Sequence, residues 1–247
     1  MNRPAKAALV SLALLSLAGL TACGDSSDSA ADKPKTDASA NASKAPSPAE
    51  HLASSIITAA DTDGFHVEET SDEYAFAKST DEVTVDKPVC APLAYAMNQL
   101  PLGNPQADLA RVASGPSDAE TELSKGINHT YVTLSAHDSG DAESAFADAR
   151  TAVDACTDGF TAKANGNEAS YDSVTPEKVS AAGHESLGFT STTGFRGIKH
   201  VLHAEIVRSG DVLAVYFSVD GMAFVDNRPS DSKLSPTVVK AQNGKLG

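Results

Sequence analysis

The chain of 247 residues contains no tryptophan, and aromatic residues make up only 5% of it. That scarcity argues against a sugar-stacking platform, which needs ring faces. Basic residues are few as well: 19 Lys and Arg stand against 33 Asp and Glu, a formal charge of -14. A nucleic-acid binder needs a basic face, so that class is excluded. Adsorption on anionic lipid headgroups by charge alone is disfavoured for the same reason. The sequence has no Gly-x-Ser-x-Gly nucleophile elbow, no phosphate-binding glycine loop and no two-cysteine zinc motif. Its apolar run at Ala7–Leu20 has fourteen residues, against about twenty needed to span a bilayer as a helix. Cysteine is limited to Cys23, Cys90 and Cys156.

What is present begins with that apolar run. Arg3 and Lys6 precede it, and small residues close it at Ala22. A short basic start, a short apolar core and small residues at its end make an export signal over residues 1–22. Leu20-Thr21-Ala22-Cys23 resembles the bacterial lipobox. The resemblance implies diacylglycerol on the Cys23 sulfur, cleavage before Cys23 and attachment to the outer face of the cell membrane. The alternative is a plain secretory signal with an incidental cysteine. Without Arg3 and Lys6 the remaining chain carries 17 basic and 33 acidic groups. Residues 23–46 then form the lipidated tether. Gly24–Pro46 has no apolar side chain larger than alanine, so it cannot bury enough surface to offset its conformational entropy.

With Cys23 lipidated, Cys90 and Cys156 remain in an oxidising compartment. The expectation is a disulfide closing a loop of 66 residues, worth about 4 kcal/mol in the chain-entropy model. The alternative is two separate buried thiols.

Residues 47–247 are expected to form one α+β domain. Ser47-Pro48-Ala49-Glu50 combines a capping box with proline at the first helical position. Leu52, Ile56 and Ile57 share a face, and Gly64 ends this helix. A second helix at Cys90–Pro101 aligns Leu93, Met97 and Leu100. A third carries Phe146, Ala149, Val153, Cys156 and Phe160 as a buried stripe. Alternation predicts three clear strands. The first puts Val132, Leu134 and Ala136 on one face, the second Ile198, Leu202, Ala204 and Ile206, and the third Leu213, Val215, Phe217 and Val219. Arg208-Ser209-Gly210-Asp211 reads as the hairpin turn between the last two. Weaker strands are expected near Tyr74–Ala77, Thr161–Ala164 and Glu185–Thr190, a helix near Ser235–Gln242, and a polar loop at Ala113–Gly126. The pattern suggests an antiparallel sheet packed by helices on one face.

Candidate chemistry is thin. "GDSS" at Gly24 resembles a lipase nucleophile block, but the strand it needs would be the removed signal. His200 and His203 fall on opposite faces of a strand, whereas His203 and Glu205 share one. The expected reading of that pair is a cross-strand polar contact. His200 is expected to be hydrogen-bonded and semi-buried. "DTDG" at Asp61 fails as a calcium loop, because Ala59 and Thr70 would stand where oxygen ligands are required. His51, His66, His129, His137 and His184 have no ligand spacing. No metal, cofactor or catalytic residue is expected.

"DKPVCAPLAYAMNQLPLGNP" and "AFADARTAVDACTDGF" resemble exported lipoproteins of Streptomyces-type actinobacteria. More distantly, with "VRSGDVLAVYFSV" from Val207 to Val219, they resemble the extracellular sensor domains of PknH-type kinases. That family implies an α+β fold with a cleft for an unidentified extracellular ligand. It carries two disulfides where this chain can form one. The resulting expectation is a monomeric, lipid-anchored binding or sensing module with a small-molecule, lipid or protein ligand. The alternatives are an envelope hydrolase with an unflagged serine, or a structural protein-interaction module.

Overall fold

The computed structural model describes residues 45–71, 75–115 and 128–247. Five helices are found there: α1 (Pro48–Ser55), α2 (Ala91–Ala96), α3 (Asp141–Ala155), α4 (Gly221–Val225) and α5 (Pro236–Lys245). The strands are β1 (His66–Glu69), β2 (Thr84–Val85), β3 (Ala107–Ser114), β4 (Asn128–Ala136), β5 (Phe160–Ala164), β6 (Asn167–Glu177), β7 (Glu185–Phe195), β8 (Ile198–Ser209), β9 (Val212–Asp220) and β10 (Ser230–Ser232).

All ten strands belong to one sheet, in the order β1-β3-β4-β9-β8-β7-β6-β5-β2. Neighbours along this path are antiparallel. β10 is the exception and runs parallel to the start of β8. It takes the place that β9 vacates, because β9 pairs with β8 only from His203 onward. The two edge strands have four and two residues, short enough to offer little template for pairing with another chain.

The α+β class, the antiparallel sheet and the single domain stand as expected. The helical cover differs: it lies on both faces. One face packs α2 and α3 through Leu93, Phe146, Ala149 and Val153 against Phe189, Ala204, Ile206, Leu213 and Val215. The other packs α1, the segment just after it and α5 through Leu52, Ile57 and Val238 against Val132, Leu134, Ala214 and Tyr216. The physical reason is in β9. Val212, Ala214 and Tyr216 alternate with Leu213, Val215 and Phe217, and all six are buried. A strand apolar on both sides needs cover on both sides.

Local chemistry fixes several boundaries. Ser47 Oγ accepts from the Glu50 amide, and Glu50 Oε2 accepts from the Ser47 amide at 2.7 Å. This is the expected capping box. α1 nevertheless ends at Ser55, well before Gly64, because Ile56 is extended. Three successive β-branched residues, Ile56, Ile57 and Thr58, weaken the helix there. The freed Ile57 amide donates to Gln242 Oε1 of α5 at 2.9 Å. Gln242 Nε2 returns a bond to the Ser55 carbonyl. In the second helix region, a single 3-10 turn at Pro88–Cys90 precedes α2, and Leu100 packs apart with Ala77 and Ala164. The expected strand at Tyr74–Ala77 is absent at Ala75–Ala77, and Tyr74 lies outside the described residues.

Candidate functional site

Strand β8 sends Leu202, Ala204 and Ile206 into the α3 side of the sheet and His203 and Glu205 to the α5 side. Hydrogen-bond register builds the site from there. Glu177 of β6 pairs with Gly188 of β7, Gly188 with Glu205 of β8, and Glu205 with Tyr216 of β9. Two carboxyl side chains therefore stand in one row across the sheet, two strand spacings or about 10 Å apart at the backbone. The position between them carries no side chain. Gly188 is required there, because a Cβ would lie 2.3 Å from Val179 Cγ1 and 2.7 Å from the Glu177 carbonyl. The segment after β6 folds back over this bare position.

His203 lies one row along, beside Thr190 and Ser218, and is buried. Its Nδ1 is 2.8 Å from Glu177 Oε2 and its Nε2 is 2.7 Å from Asp231 Oδ1 of β10. Ionised carboxylates only accept, so both contacts are filled together when both ring nitrogens carry hydrogen. The bond from His203 holds the Asp231 carboxyl below its ordinary value.

Glu205 is different. It is only 6% exposed, and its carboxyl group accepts no hydrogen bond from any described residue. Burial, and then the negative charge of Glu177, push its carboxyl up to about 7. Tyr216 is raised well above the ordinary phenol value by burial and by Glu205. Its hydroxyl donates to Asn243 Oδ1 of α5 at 2.5 Å.

These groups wall a cavity of about 550 Å³ between the sheet, α5 and residues 178–182. Glu177, His203, Glu205 and Asn243 supply polar atoms. Val179, Leu234, Pro236 and Val239 supply apolar walls, and Lys178, Lys233 and Lys240 line it as well. The arrangement can bind a compact ligand with one polar end. Among the described residues no cluster of three or more His, Cys, Asp or Glu could hold a metal ion.

No protein-family model matches the chain, and no curated protein matches it. Among solved structures, the chain is similar to the extracellular domain of PknH from Mycobacterium tuberculosis, with a TM-score of 0.39 and 10% identity. The match covers 74% of this chain and 79% of that one.

The other singled-out residues fall elsewhere. Cys90 and Cys156 stand together as a disulfide pair, with Cα atoms 6.0 Å apart. They tie the start of α2 to the end of α3, on the face away from the cavity. Cys23, residues 1–22, the tether and the "GDSS" block lie outside the described residues, as does most of the polar loop at Ala113–Gly126. Among the described residues no helix is long and apolar enough to cross a membrane. His200 is fully buried, more so than its alternation implied. Its ring stacks on Phe224 at 3.8 Å, and its Nδ1 is 2.9 Å from Ser230 Oγ. Asp61 accepts from the Thr58 amide and pairs with Lys245, inside a separate 3-10 turn at Ala59–Asp61 rather than at the end of α1.

Sequence reasoning found His203 and Glu205 on one face, as a polar contact rather than a site. It missed Glu177 and Asp231. A bulge between Tyr171 and Ser173 breaks the alternation of β6, and Pro176 disguises the strand. Proline is tolerated there because β5 ends its pairing at Tyr171, which leaves the end of β6 a local edge. The usable signal was Glu205 itself, a carboxylate inside an apolar central strand.

Proposed function

We propose that the chain is an extracytoplasmic lipoprotein, anchored through Cys23, whose domain binds a small ligand in the cavity beneath α5. It acts as a monomeric sensor-like receptor and performs no chemistry of its own. One observation carries the binding reading: Glu205 is buried without a hydrogen-bond donor and opens onto a cavity of about 550 Å³. A carboxyl with no protein donor is served there only by cavity water, and a ligand that supplies a donor replaces that water. The lipobox and the polar tether support the anchor and the location. Two or more lipid chains give stable attachment, while the tether holds the domain clear of the bilayer.

A thermal-shift screen against envelope lipids and small polar metabolites tests the binding reading. A hit should raise the midpoint in the native chain and lose its effect in Val239→Trp, which fills the cavity. Hits that persist in Val239→Trp would place binding elsewhere, and an intact fold with no hit in any class would overturn the reading. The anchor has its own test. Cys23→Ala should release the protein into the medium or stall its processing, and a variant that stays lipid-bound at normal size would refute it.

A further inference from the structure

No side-chain donor lining the cavity bonds Glu205. Both ring nitrogens of His203 face Glu177 and Asp231. The Tyr216 hydroxyl donates to Asn243. Lys233 leans toward Asp231 at 3.6 Å, and neither Lys178 nor Lys240 bonds Glu205. The carboxyl thus keeps up to four acceptor sites unfilled on the wall of a cavity. The second carboxyl in its row, Glu177, faces it across Gly188, the one position without a side chain.

We propose that the cavity takes an amphipathic organic amine, with its ammonium group between Glu205 and Glu177 and its apolar body along Val179, Leu234 and Val239. The proposal rests on the binding reading above and adds the ligand class. An ammonium brings three donors and no acceptor, matching a site with acceptors to spare. Its positive charge also removes the repulsion between the two carboxylates. A carboxylic acid would meet Glu177 and Glu205 and would have to be held by the three lysines instead. An alcohol would fill the apolar part and leave the repulsion in place. A cavity of this volume excludes a polymer but accommodates a body of roughly eight to twenty non-hydrogen atoms.

The amine binds to ionised Glu205, so binding releases the proton that the empty site partly retains. The titratable and charged groups facing it are Glu177 from β6, His203 from β8, Tyr216 from β9, Asp231 from β10, Lys240 from α5, and Lys178 and Lys233 from the flanking segments. The test is calorimetric titration of the full chain bearing Cys23→Ser, which takes the lipid out of the measurement. The probes are n-octylamine, n-octanol and octanoate. At pH 7.5 octylamine should bind at least tenfold tighter than octanol, with proton release between buffers of different ionisation enthalpy. At pH 5.5 that advantage should shrink. Glu205→Gln should erase it while leaving octanol binding within about twofold. Octanoate binding tightest, or octylamine matching octanol, would overturn the amine class and leave the binding reading standing. No binding of any of the three at millimolar concentration would overturn both.

Discussion

The two faces of the sheet are built from the same strands and have opposite characters. On the α3 face, strands β5 to β9 meet α2 and α3 through a continuous apolar cluster, with Ser191 and His200 as buried polar side chains on the same face. The Cys90–Cys156 pair joins the two helices on that side. On the α5 face, α1 and α5 close tightly over β3, β4 and β9. Over β6, β7 and β8 the cover lifts, and Glu177, His203 and Glu205 occupy positions that mirror Leu202, Ala204 and Ile206. One side is filled for stability. The other side leaves room and places a costly group in it, which is the expected trade at a binding site.

The largest expected effect belongs to the filled face. Phe146 on α3 is 1% exposed. Phe146→Ala removes a ring from a space that cannot collapse around it, and should cost about 4 kcal/mol. Urea unfolding with an unchanged slope would register this as a fall in midpoint. A loss below about 1 kcal/mol would mean that α3 can repack, contrary to the close-packed reading. Next comes the cross-link. Cys90→Ser with Cys156→Ser should cost up to about 4 kcal/mol, mainly by freeing the unfolded chain. Non-reducing peptide mapping of the native protein should find the two residues joined, and free thiols there would remove the effect.

How much of this contrast was legible beforehand differs by face. Regular alternation put Leu213, Val215 and Phe217 together, and helical spacing put Phe146, Ala149 and Val153 together. Both follow from periods of 2 and 3.6 residues that need no partner to be read. The capping box at Ser47 was legible because it is closed within four residues. The two-sided cover was present in the uninterrupted run Val212–Phe217, but it was read as one alternating face. The candidate site was hardest, since it joins residues that only register brings together. Glu177 meets His203 across β7, and Asp231 arrives on a three-residue parallel strand whose pairing has no local signal. Gly188 falls inside the weak strand expected near Glu185–Thr190, with no sign of a special role. Its reason for being glycine is a contact with Val179, visible only once the segment after β6 is folded over it.

On the α5 face a smaller loss tests the closed part. Gln242 is fully buried and clamps α5 to the end of α1, taking the Ile57 amide and giving to the Ser55 carbonyl. Gln242→Ala leaves both backbone groups unpaired and should cost about 2 kcal/mol. Hydrogen exchange should report it first at the Ile57 amide. If that amide stays as protected as in the native chain, water or a neighbour has replaced the clamp.

The smallest effect has the opposite sign and is the sharpest test of the contrast. Glu205 sits near 7 in the folded state against 4.5 for a free glutamate. Between those values the native state keeps a proton that the unfolded chain has lost. The stability contributed by this group is therefore complete below about pH 4.5 and is lost as pH rises through 7. Glu205→Gln keeps the shape and removes the charge. It should leave stability nearly unchanged at pH 4.5 and raise it at pH 8. The full shift would be worth about 3 kcal/mol, but the carboxyl faces an open cavity where water screens it, so about 1–2 kcal/mol is expected. Thermal unfolding of both chains across pH 4.5–8 measures the difference directly. A gain that is equal at both ends would mean that the ionised carboxyl costs nothing where it sits. The α5 face would then be as relaxed as the α3 face, and the contrast between them would collapse to one of shape alone.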